Sequence, residues 1–115
     1  MKKKAMRLIH GEEVFGVSVD AQTRCAHWNS PVDVIALRFF CCRRWYPCYQ
    51  CHLEVADHRA IPVPVALRDE PEAVLCGVCG HKMSVNEYFG CGAQCPTCKA
   101  KFNPGCANHY HLYFE

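Results

Sequence analysis

The sequence has no apolar run approaching the ~20 residues a membrane-spanning helix needs, so no membrane partner is expected. Its start, MKKKAMR, would serve as the basic region of a secretory signal. His10, Glu12 and Glu13 break the apolar stretch that should follow, which removes the basis for expecting secretion. Charge of one sign is scarce too: 13 Lys and Arg against 11 Asp and Glu leave a formal +2. Neither a phosphate-cradling glycine loop nor a Ser, His and Asp arrangement is present, and there is no low-complexity tract. These absences argue against an enzyme, a nucleic-acid partner and a small-molecule substrate.

What the chain has instead is cysteine. Eleven in 115 residues is far above ordinary usage. Half of the residues count as hydrophobic, but many of these are Cys and Ala, so the aliphatic and aromatic core must be modest. A core of that size needs staples. The odd cysteine count and the lack of a signal weigh against a disulfide framework and favour metal held by reduced thiolates in the cytoplasm. Nine thiolates and three Zn²⁺ would carry the formal charge from +2 to about −1, which further weakens the case for nucleic acid.

The chain reads as one small zinc-stapled α+β unit with two lobes. Residues 1–12 are expected to form a flexible N-terminal arm. Residues 13–71 make a first lobe, with strands at VFGVSV (14–19) and DVIALRFF (33–40) and a short helix over HLEVADHRA (52–60). The three prolines of IPVPVALRDEP (61–71) forbid a continuous helix and mark a connector. Residues 72–115 make a zinc-ribbon-like lobe. There Ser84 and Glu87 have capping-box spacing for a helix ending at Gly90, and HYHLYFE (109–115) alternates as a closing strand would.

The clearest chemistry is Cys76-Gly-Val-Cys79 with Cys95-Pro-Thr-Cys98, fifteen residues apart. Four thiolates at that spacing satisfy a closed tetrahedral Zn²⁺, and Gly77 and Gly80 ease the tight turn. The first lobe offers Cys25, His27, Cys41, Cys42, Cys48, Cys51, His52 and His58, enough for two interleaved tetrahedral sites. Cys25, His27, Cys48 and Cys51 form one set; Cys41, Cys42, His52 and His58 form the other. Cys51 and His52 are adjacent and can face opposite ways. Neighbouring Cys41 and Cys42 make a cramped chelate, and exchanging one of them between sites is chemically possible. Glu54 and Asp57, near these ligands, suit the helix surface or a hydrogen bond to a ligand histidine.

Cys25-Ala-His27-Trp28, Asp33-Val-Ile-Ala-Leu-Arg-Phe39, Cys41-Cys42, Trp45-Tyr46-Pro-Cys48-Tyr-Gln-Cys51-His52, Asp57-His58, the two later Cys-x-x-Cys pairs, Glu87-Tyr88 and Phe102-Asn-Pro-Gly-Cys106 follow a recognisable order. This order resembles the CHY-type zinc finger family from about Gly16 to Phe114. Trp28 stands where the family has a tyrosine. The resemblance implies three structural zincs on the twelve positions above. Stand-alone members of the family include a fungal mitochondrial intermembrane-space helper of small Tim import, so that compartment is expected if the chain is fungal.

Outside the twelve, Cys91 between Gly90 and Gly92 is expected to be the accessible thiol. Cys106, His109 and His111 have short spacing but complete no known motif. The aromatic residues are expected to cover the zinc sites. The functional expectation is a zinc-binding protein-interaction module. The alternative is a redox or zinc-transfer helper for a thiol oxidoreductase or cysteine-rich partner, although WYPCYQC lacks the βαβ setting of a thioredoxin. Ubiquitin ligation is not carried over, because no separate RING domain is present.

Overall fold

A computed structural model describes residues 4–103 and 113. Six strands form a single sheet: β1 (Lys4–Ile9), β2 (Glu12–Val17), β3 (Ile35–Phe39), β4 (Arg44–Tyr46), β5 (Val74–Cys76) and β6 (Lys82–Met83). Their spatial order is β1-β2-β4-β3-β5-β6. Neighbours are antiparallel except β2 and β4, which meet in parallel at Val14 and Trp45. The β3–β5 pairing runs the sheet through both halves of the chain, so the lobes share one scaffold.

The N-terminal segment differs from the expected arm. Residues Lys4–Ile9 pair with β2 in a register from Lys4 opposite Val17 to Ile9 opposite Glu12. The cause is the two-residue turn His10-Gly11, with φ of 50° and 84°. Two consecutive left-handed residues give the turn twist that matches a two-stranded hairpin. Ile9 is then 2% exposed, among Val14, Val19, Ala36, Trp45 and Leu75 on one face of the sheet.

The opposite face carries the larger core, in which Ile35, Leu37 and Phe39 of β3 alternate inward with Tyr46 of β4 and Val74 and Cys76 of β5. Each central strand thus has apolar residues on both faces, as its continuous apolar sequence requires. Phe39, Trp45 and Tyr46 are buried, so these aromatics serve packing.

Helix α1 (Tyr49–Val55) starts earlier and stops sooner than expected. Its N-cap is Cys48, whose sulfur accepts the Cys51 N–H at 3.4 Å. Ala56 is extended, so Asp57 and His58 leave the helix. The proline connector contains a short 3₁₀ turn at Val65–Leu67. Helix α2 (Val85–Gly90) is capped by the Ser84 hydroxyl, which accepts the Glu87 N–H at 3.0 Å. The Glu87 carboxylate pairs with His81 at 2.9 Å. The expected closing strand falls outside the described residues except for Tyr113, which is helical.

Candidate metal centres

Three tetrads gather the twelve cysteine and histidine positions named above, and within each the candidate ligand atoms lie within 4.8 Å of one another. The distances identify what fits between them. With Zn–S near 2.3 Å and Zn–N near 2.0–2.1 Å, a tetrahedron has S···S edges of about 3.8 Å, S···N edges of about 3.6 Å and N···N edges of about 3.3 Å. A disulfide would bring sulfurs to about 2.05 Å.

The first centre joins the loop after β2 to the start of α1. Cys25 and Cys48 sulfurs stand 3.6 Å apart, and His27 Nδ1 lies 3.7, 3.5 and 3.5 Å from Cys25, Cys48 and Cys51. The N–H groups of Val17 and Trp28 donate to Cys51 and Cys25, each at 3.4 Å, so β2 and the loop orient the thiolates. His27 turns its other nitrogen, Nε2, to the carboxylate of Glu54. That contact fixes which nitrogen faces the sulfurs.

Crowding sets the sulfur electrostatics of this centre. Hydrogen bonds from the Cys48 and Cys51 thiols pull Cys25 down. The contacts with Cys25, and then with Cys51, push Cys48 up, and the contact with Cys25 raises Cys51 to about 12. Three sulfurs this close and this buried cannot all carry charge unless a cation sits among them. A Zn²⁺ held by these residues would supply that charge and favour the deprotonated thiolates.

The second centre takes His52 from the same helix. Cys41 and Cys42, in the turn from β3 to β4, have sulfurs 3.9 Å apart. His52 Nε2 is 3.2 Å from Cys41, 4.0 Å from Cys42 and 3.3 Å from His58 Nε2, which in turn is 3.2 Å from Cys41. Arg43 takes φ of 57° just after the cysteine pair, and its N–H bonds to Phe39 O at 2.8 Å, closing the turn. His52 stacks on Phe39 with ring centroids 4.4 Å apart and meets Tyr46 edge-on. Burial, and then the neighbouring His58, hold its pKa down, which favours the neutral ring that binds metal. His52 Nδ1 is buried with no hydrogen-bond partner among the described residues. His58 Nδ1 is held by Asp57 at 2.9 Å.

In the third centre Cys76 and Cys98 are 3.8 Å apart and Cys79 and Cys95 are 3.7 Å apart. The two knuckles close alike: the N–H groups of Gly80 and Lys99 bond to Cys76 O and Cys95 O at 2.9 and 3.0 Å. Both residues are left-handed, with φ of 86° and 68°; glycine serves the first and lysine fills the same role in the second. Gly77 has a different reason, because a Cβ there would meet Gln22 O at 2.2 Å. Burial pushes Cys76 and Cys79 up; at Cys95 burial acts the same way, but the N–H groups of Cys98 and Thr97 prevail and bring it to about 7.

The donor chemistry and spacings of all three tetrads fit zinc, so the protein takes three Zn²⁺. We propose that the ligands are Cys25, His27, Cys48 and Cys51; Cys41, Cys42, His52 and His58; and Cys76, Cys79, Cys95 and Cys98. Each set supplies four donors from the protein.

Spacing alone did not reveal His10, whose Nε2 lies 3.0 Å from Gly77 O and ties the N-terminal hairpin to the third centre. The two-residue turn between alternating segments was the available signal. Cys91 is half-buried, its thiol donating to Tyr88 O at 3.0 Å. Cys106, His109 and His111 lie outside the described residues. Among the described residues no helix is long and apolar enough to cross a membrane.

The chain is 43% identical over 104 residues to Helper of Tim protein 13 of Saccharomyces cerevisiae, covering 89% of this chain and 90% of that protein. It is 46% identical over 103 residues to Helper of Tim protein 13 of Kluyveromyces lactis, covering 89% and 88%. An uncharacterized Schizosaccharomyces pombe protein is 42% identical over 102 residues, again covering 89% and 88%. No solved structure matches. Residues 25–110 match the CHY zinc finger, so the chain belongs to the CHY zinc finger family.

Proposed function

We propose that the protein is a zinc-folded interaction module, without catalysis of its own, that assists a Tim protein. The observation that carries the non-catalytic part is the closure of each tetrad: four protein donors converge on one point, which leaves no position for an activated water. The partner rests on the two yeast relatives named Helper of Tim protein 13, each aligned over nearly its whole length. Cytoplasm and mitochondrial intermembrane space are the two compartments open to such a protein, and these relatives favour the second.

A binding titration tests this reading directly. Zinc-loaded protein and a purified, reduced yeast small Tim protein are mixed in a calorimeter, with and without prior removal of zinc. Saturable binding that disappears with the metal is the expected result. No heat and no co-elution on gel filtration would contradict the partner, and catalytic thiol oxidation by the zinc-loaded protein would contradict the non-catalytic role.

A further inference from the structure

The three tetrads differ in how firmly the chain encloses them. Cys25, Cys48 and Cys51 are buried in the first, and Cys76 and Cys95 are buried in the third. In the second only His52 is buried; Cys41 and Cys42 are half-buried and His58 is exposed. The supporting contacts differ in the same direction. His27 of the first centre is backed by Glu54. Among the described residues, His52 Nδ1 is buried without a hydrogen-bond partner, and His58 Nδ1 is backed by Asp57, whose side chain is 100% exposed. His58 also sits past the end of α1, on a segment no longer held by helical hydrogen bonds.

We propose that the Cys41, Cys42, His52 and His58 tetrad is the exchange-competent zinc site, opened by departure of His58 and entered by a thiolate from a cysteine-bearing partner. The proposal rests on the ligand assignment given above.

In the exchange the bond from zinc to His58 Nε2 breaks and a bond from zinc to the incoming sulfur forms. The entering thiol gives its proton to solvent or to the freed imidazole, and zinc stays 2+. Charge favours this site over the others. Two thiolates cancel the ion in the second centre, so replacing a neutral imidazole leaves −1, the charge the first centre already carries. The same entry would drive the first centre to −2 in a buried setting, and the third, with four thiolates, is at −2 from the start.

His52 adjoins Cys51, so opening the second centre leaves the segment anchored through the first. Loss of one zinc is therefore separable from unfolding.

The test uses the full zinc-loaded chain, a short reduced Cys-x-x-Cys peptide as competitor, and brief N-ethylmaleimide pulses read by native and peptide mass spectrometry. The first zinc to leave is expected to expose Cys41 and Cys42 to alkylation while the seven other ligand cysteines stay protected. Its release rate is expected to rise with peptide concentration. Asp57→Ala changes no ligand, and by weakening the support of His58 it should speed that first loss about tenfold and leave the other two zincs unchanged.

A three-zinc protein that first exposes other cysteines, or all nine together, overturns the inference and leaves the ligand assignment standing. A release rate independent of peptide concentration overturns entry of the thiolate. Fewer than three zincs at the start, with disulfides among the nine cysteines, overturns the assignment and the inference with it.

Discussion

Glu54 meets Nε2 of His27 on the side of the ring away from the sulfurs of Cys25, Cys48 and Cys51. One turn of α1 therefore provides both Cys51 and the carboxylate that sets how His27 faces the ion. Glu54→Gln keeps the shape and removes the charge. Zinc affinity at the first centre should fall about 10–100-fold, as chelator competition would show, while the Cys76, Cys79, Cys95 and Cys98 centre is unaffected. Unchanged competition at the first centre would assign Glu54 to the surface.

The N-terminal hairpin is part of the folded unit. Ile9 is 2% exposed, and the next residue, His10, reaches Gly77 O. Ile9→Ala should cost about 2–5 kcal/mol, read as a lowered denaturant midpoint of the zinc-loaded protein. A midpoint like that of the parent would restore the loose arm expected from sequence.

At Gly77 the constraint is space. A methyl group there would press on the backbone carbonyl of Gln22, which has no flexible end to move aside. Gly77→Ala should destabilise the folded protein by about 3 kcal/mol or more. Thermal unfolding of the zinc-loaded variant checks it, and a shift within error would mean the Gln22 loop is free to yield.

Ser84→Ala removes the hydroxyl that accepts the Glu87 N–H. The expected loss is about 1 kcal/mol, measured by denaturant unfolding, with zinc content unchanged. A loss of zinc in this variant would show that α2 supports the third centre more directly than its cap suggests.

The tetrads were legible because metal ligands come from a short list of residue types at spacings fixed by the chelate. Cys48 and Cys51, or Cys95 and Cys98, announce a knuckle before any fold is known. Cys41 and Cys42 are chain neighbours that spacing allows to be exchanged between sites, and their sulfurs lie in one cluster. The start of α1 was obscured because cysteine is a rare helix cap; Cys48 takes that role when its sulfur is already oriented for the centre. The hairpin was obscured for a similar reason, since His10 in a left-handed conformation is not the Asn or Asp that usually signals such a turn. Glu87 has capping-box spacing, but its carboxylate is drawn to His81, a contact made through the fold.

We propose that three zinc ions on twelve side chains hold this fold together. Native mass spectrometry of protein purified under reducing conditions, with free thiols counted on the same sample, tests it most directly. Three zincs and two modifiable thiols among the eleven cysteines, Cys91 and Cys106, are predicted. Stripping the metal should then abolish the circular dichroism of the folded state, because binding free energy here is folding free energy. Two or fewer zincs with disulfides in their place, or a spectrum unchanged after complete removal of zinc, would contradict the account.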